Sequence, residues 1–130
     1  MTSHGHLLEI DPDECRRLLG GTGVGRVAWA SRDGLQILPV SYVFDGAAIA
    51  FRTSVGSALS ELTSPAEVAF QVDDLDTETA TGWSVLVQGT SGPGEEALAT
   101  RALPWAPGSR PVTIGVTPRS FAGRWVSADH

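Results

Sequence analysis

The densest chemistry in the chain lies in Phe51-Arg52-Thr53-Ser54-Val55-Gly56-Ser57, which leaves an apolar strand-like run and opens a short helix-like one. Arg52 brings a permanent charge and five N–H donors. Thr53, Ser54 and Ser57 add hydroxyls, and Gly56 allows a backbone to approach a ligand closely. Amides at the start of the following helix would point the same way, so the segment has the makings of an anion or phosphate pocket without a lysine. The same residue types also serve as ordinary helix caps beside a solvated arginine, and composition alone leaves both uses open. Planar ligands have four tryptophans to stack on, Trp29, Trp83, Trp105 and Trp125. Trp105, between Pro104 and Pro107, is the one expected on a surface loop.

Other chemistries have less to work with. His4, His6 and His130 sit at the chain ends, and Cys15 stands alone, so no metal-ligand spacing is present. No histidine lies inside the expected folded region and there is no Gly-x-Ser-x-Gly elbow, which argues against a nucleophilic triad. All nine basic residues are arginine, so a Schiff-base lysine is excluded outright. The acidic residues Asp73, Asp74, Asp76 and Glu78 read as a solvated loop.

The elements that must position these residues follow from period and punctuation. Asp11, Pro12 and Glu14 form a helix start over a modest apolar face of Cys15, Leu18 and Leu19, and Gly20-Gly21 stops it. Val24–Ser31, Leu35–Phe44 and Ala47–Thr53 read as three strands joined by turns at Asp33-Gly34 and Asp45-Gly46, a β-meander. Pro39, inside the second of these, predicts an edge or a bulge. A short helix over 56–62, strands over 66–72, 83–89 and 112–116, a helix over 93–103 and a C-terminal run over 120–126 complete the pattern. The expectation is a single, mainly β domain over 1–130: a six-stranded antiparallel split β-barrel with two or three short helices, preceded by a disordered tail over residues 1–6.

Bulk properties narrow the partners. A net charge of −6 and a pI near 4.8 oppose nonspecific binding to nucleic acid or anionic membrane. No apolar run approaches the roughly 18 residues that span a bilayer. The absence of a signal-peptide pattern and the lone cysteine predict a cytoplasmic location.

Taken in order, Pro39-Val40-Ser41-Tyr42, Asp45-Gly46, Phe51-Arg52-Thr53, Gly56-Ser57, Val68–Asp73, Gly82–Val87 with Gly89, and Pro104-Trp105 resemble the small bacterial branch of the pyridoxamine 5′-phosphate oxidase-like proteins, the flavin-binding split barrels. The resemblance covers roughly residues 7–125. It implies a homodimer holding flavin mononucleotide (FMN) in a cleft between subunits, with deazaflavin as the alternative cofactor, and a small-molecule oxidoreductase substrate. It also implies that Pro39, Val40 and Ser41 lie along the flavin ring, with Tyr42 or Ser41 as a donor near it. Arg52, Thr53, Gly56 and Ser57 would lie at the ribityl phosphate, and the partner would contribute from the later strands, with Trp83, Gln88, Arg124 or Trp125 as the candidates. The family commonly carries Lys or Arg after Gly-Ser, where this chain has Ala58 and Leu59. Arg52, or Arg119 or Arg124 across a dimer, is the expected compensation. The substrate-phosphate cluster and C-terminal Arg-His region of a true pyridoxamine 5′-phosphate oxidase are not matched, so vitamin synthesis is not expected. Two further readings follow: a binding module that has lost the cofactor, and a structural dimer whose cleft is filled by its own tryptophans.

Overall fold

The computed structural model describes residues 6–102 and 110–127. Its elements run β1 (His6–Ile10), α1 (Pro12–Leu19), β2 (Gly21–Ser31), β3 (Gly34–Phe44), β4 (Ile49–Thr53), a 3₁₀ helix (Ala58–Thr63), β5 (Glu67–Asp76), β6 (Thr81–Pro93), α2 (Glu96–Ala99) and β7 (Val112–Ser127). All pairings are antiparallel, in the order β1-β7-β4-β3-β2-β5-β6, and a β6–β7 pairing closes the ring. Six strands therefore form the expected barrel. A seventh, β1, is an addition: it pairs with residues 123–127 of β7, beyond the segment 112–116 that pairs with β4. Four of its five residues, His6–Glu9, fell in or next to the expected tail, and a five-residue run carries little periodicity of its own.

The β-meander stands as expected. Asp11 caps α1, its Oδ1 accepting from the Glu14 N–H at 2.9 Å. Inside the barrel Val27, Trp29, Val40, Tyr42, Phe51, Phe70, Val85, Val87 and Ile114 form one buried cluster. Gly25 sits beside it because an added Cβ would lie 2.5 Å from Phe70 Cζ. A glycine here leaves room for the Phe70 ring against β2, and strand alternation leaves the next residue, Arg26, pointing out. Pro39 lies where β3 has outrun β4, whose ladder ends at the Tyr42–Phe51 pair, so one side of Pro39 faces an open edge. The β2–β3 register runs through it without a bulge.

Two boundaries differ from expectation for physical reasons. The helix expected over 93–103 is only Glu96–Ala99: Pro93 is held opposite Ile114 at the end of β6, and the Gly94 N–H donates to the Thr113 carbonyl. The acidic stretch from Asp73 to Asp76 is not loop but the end of β5, paired residue by residue with Thr81–Ser84. Ladder pairing outweighs local composition in both places. The segment around Trp105, and His4 and His130, lie outside the described residues. No helix among the described residues is long and apolar enough to cross a membrane.

Candidate functional site

The end of β4 is built in two layers. Phe51 is fully buried and Thr53 nearly so, while Arg52 between them faces out, as strand alternation requires. The Thr53 and Ser57 hydroxyls are 2.7 Å apart, tying the strand end to the start of the 3₁₀ helix. Gly56 between them has φ +78°, a conformation that L side chains rarely adopt, and nothing lies within 4 Å of where its Cβ would be. The Ser57 carbonyl accepts from the Ser60 hydroxyl at 2.6 Å and from the Ser60 N–H at 3.0 Å. The 3₁₀ helix is pinned from below. Leu62 is fully buried, Leu59 packs on the core, and the Trp29 indole N–H donates to Glu61 Oε1 at 2.9 Å.

Arg52 makes no hydrogen bond or ion pair among the described residues, whereas Arg16, Arg17 and Arg119 pair with Asp13, Glu14 and Glu67. Its guanidinium is thus uncommitted among the described residues, with exposed Gly56 and half-buried Ser57 following it in the chain. Leu59 occupies one of the two positions expected to be basic and is spent on packing; Ala58, the other, is exposed.

The outer face of the sheet organises the remaining residues. Directly opposed residues of antiparallel neighbours share a face. One row reads Pro39–Arg26–Gln71–Leu86–Ala122, and parallel to it Ser41 opposes Val24 while Asp73, Ser84, Arg124 and Glu9 oppose one another in turn. Extending the β3–β4 register by one step sets Arg52 beside Ser41. Pro39, Ser41 and Arg52 therefore share the outer surface, and Arg124 lies further round it.

Val40 points its side chain into the core at 4% exposure, so its backbone is the part free to meet a ligand. Three of the sequence expectations change here. Trp83 opposes Trp125 on the side of the sheet opposite Arg124 and packs partly into the core, so Trp83 and Arg124 do not share a surface. The Tyr42 hydroxyl is buried and donates to the Leu19 carbonyl at 2.9 Å, and burial pushes its pKa up to about 12, so it is a core tether and no donor to a ring. Arg119, at the bulge where β6 steps from Gln88 to Gly89, is held by both carboxylate oxygens of Glu67 at 2.9 and 3.1 Å. Its charge is already committed. One residue escaped the sequence reading altogether: Arg26, exposed, unpaired among the described residues and directly opposite Pro39. Its position next to Gly25 in a Gly-rich strand carried no motif, and only the register reveals it.

The chain shares 34% identity over 134 residues with an uncharacterised protein of Mycobacterium tuberculosis, covering 95% of this chain and 88% of that one. Among solved structures it is similar to an FAD binding protein from Mycobacterium smegmatis, with 26% identity, coverage of 92% of this chain and 98% of the other, and a TM-score of 0.72. A FAD-binding protein from Mesorhizobium loti shares the fold at a TM-score of 0.77 and 19% identity, covering 95% and 98% of the two chains. The family model for pyridoxamine 5′-phosphate oxidase matches residues 11–125, which span the closed ring, the Arg52–Ser57 segment and Arg124. By that match, and by the split-barrel ring it coincides with, this chain belongs to the pyridoxamine 5′-phosphate oxidase family.

Proposed function

We propose that the chain is a flavin-binding oxidoreductase, with FMN as cofactor, that holds the phosphate end at Arg52, Gly56 and Ser57 and lays the ring against the outer face at Pro39–Ser41. The observation that carries this reading is that the outward-facing Arg52, four positions before the Gly56 turn, makes no hydrogen bond or ion pair among the described residues in a chain of net charge −6. The residues fit a phosphate monoester. One guanidinium gives charge-assisted, bidentate donors, Ser57 a hydroxyl, and Gly56 an uncluttered approach. Thr53 acts through Ser57, fixing its rotamer by their mutual hydrogen bond. Bound flavin supplies hydride or electron transfer, and the protein supplies position and electrostatics. The similar FAD binding protein of Mycobacterium smegmatis, at 26% identity, supports a flavin as the cofactor class.

A homodimer with the cleft between copies is part of the proposal. Its support is the exposure of Val24, Leu35, Ile37 and Leu86 on the outer face, since apolar residues gathered on one face of a sheet mark an interaction surface. Fluorescence-quenching titration of dialysed protein with FMN, FAD and deazaflavin in parallel tests the cofactor. Micromolar or tighter binding of FMN is expected. Selective binding of deazaflavin keeps the fold and changes the cofactor, a reading favoured by the missing cation at Ala58. A folded protein that binds none of the three refutes the oxidoreductase assignment.

A further inference from the structure

Trp29 presents no surface to a planar ligand. It is 4% exposed in the core on β2, and its indole N–H donates to Glu61 Oε1 at 2.9 Å. The acceptor is a carboxylate, which puts the bond among the stronger kind. The bond also joins two elements, because Glu61 is half-buried in the 3₁₀ helix that follows the Gly56 turn. From Glu61 a short chain of contacts leads back to that turn. The adjacent Ser60 donates twice to the Ser57 carbonyl, from its hydroxyl at 2.6 Å and from its N–H at 3.0 Å. The Ser57 hydroxyl is 2.7 Å from that of Thr53. Ser57 is thus held from two strands, by β4 directly and by β2 through Ser60 and Glu61. The tip of the turn has little packing to fix it: Val55 is 75% exposed, and nothing lies within 4 Å of where a Gly56 Cβ would be.

We propose that Trp29 and Glu61 are a positioning pair for the phosphate end: they set the rotation of the 3₁₀ helix, and through it the placement of Ser57 and the Gly56 turn, without touching a ligand themselves. The proposal rests on the reading of Arg52–Ser57 as the phosphate site. Burial of Leu62 and packing of Leu59 hold the helix against the core, but the hydrophobic effect is non-directional and tolerates a roll about the helix axis. A hydrogen bond does not, because it weakens steeply as its angle closes. An anion site needs that direction, since its donors must converge on one group to within about 0.5 Å.

The test compares FMN with riboflavin, which lacks the phosphate, by fluorescence titration. Glu61→Met removes the acceptor at nearly constant size. It is expected to weaken FMN about five- to twentyfold, a part of what a charge-assisted hydrogen bond is worth, and to leave riboflavin unchanged. Glu61→Gln keeps an acceptor oxygen and should bind FMN at least as tightly as wild type. Trp29→Phe should match Glu61→Met, and the double variant should be no weaker than the weaker single one, since both break the same bond. Glu61→Met carries the test alone if Trp29→Phe, a change in the core, does not fold. Hydrogen exchange of the ligand-free protein gives a readout without flavin. The Ser57 and Ser60 amides, bonded to the Ser54 and Ser57 carbonyls, should exchange faster in Glu61→Met while the β2 and β4 amides keep wild-type rates. Wild-type FMN affinity in Glu61→Met overturns the pair's role. So does a parallel loss of FMN and riboflavin, which assigns the bond to the stability of the barrel, and so does a Glu61→Gln protein as weak as Glu61→Met. A wild-type chain that binds no FMN refutes the flavin reading instead, and hydrogen exchange then decides the pair: faster turn amides support it, and unchanged ones overturn it.

Discussion

Arg52 and Ala58 set opposite predictions at the phosphate end. Arg52→Gln keeps the side-chain length and removes the only unpaired cation of the segment, so FMN affinity should fall about ten- to a hundredfold. Both residues are solvent-facing, so thermal stability should not move for either change. Ala58→Lys adds a cation at the first residue of the 3₁₀ helix and should tighten FMN by a similar factor; titration of the two variants checks both signs. Leu59→Lys is not an equivalent restoration, because Leu59 packs on the core and its replacement would strip that contact. The sequence makes Arg52, Gly56 and Ser57 legible because they are close in the chain and a turn needs their types. It hides the difference between positions 58 and 59, since which of two adjacent residues faces the core is decided by how the 3₁₀ helix is docked. Arg26 was hidden for the related reason that its neighbours on the surface come from other strands.

At the scale of elements, two tethers hold the site in place. The first is Gly25. Gly25→Ala would push a methyl into the Phe70 ring, costing about 1–3 kcal/mol as overpacking does, and would lift β2 where it presents Arg26. A chemical denaturation curve measures this. The second is Tyr42, which ties β3 to the end of α1. Its raised pKa, about 12 against an ordinary value near 10, is a stability statement. Above pH 10 the unfolded chain loses the phenolic proton before the folded one, so it binds fewer protons and stability falls as pH rises. The loss develops from about pH 10 to 12 and amounts to about 2–3 kcal/mol at 1.36 kcal/mol per pKa unit. Tyr42→Phe should be less stable at neutral pH, having stranded the Leu19 carbonyl, and should lose this part of the alkaline fall. Denaturation midpoints of the two proteins from pH 8 to 11.5 check it. Strand existence was legible from β-rich runs ended by Asp-Gly turns. The seventh strand and the truncated α2 were not, because both depend on β7, a 16-residue strand that serves three partners and whose length no local pattern reports.

For the whole molecule, the barrel closes its edges through the β6–β7 pairing but leaves an apolar outer face. In β3, Leu35 and Ile37 are 87% and 63% exposed although they stand in a run, Leu35–Phe44, that is apolar on both sides. A strand that faces solvent on its outside alternates with polar residues; one covered on both sides does not. The run was legible as a strand, and its outward half reads as core for a surface that a single copy does not cover. Wild-type protein is therefore expected to sediment as a dimer at micromolar concentration. Ile37→Glu, opposite Ala28 on the outer face, should sediment as a monomer with an unchanged circular dichroism spectrum, since the side chain is 63% exposed. If the FMN cleft lies between copies, the same variant also loses flavin affinity despite leaving Arg52 intact. A wild-type monomer at those concentrations removes the dimer from the proposal. A monomeric Ile37→Glu protein that still binds FMN at full strength places the whole cofactor site within one chain, at Arg52–Ser57 and the row that begins at Pro39.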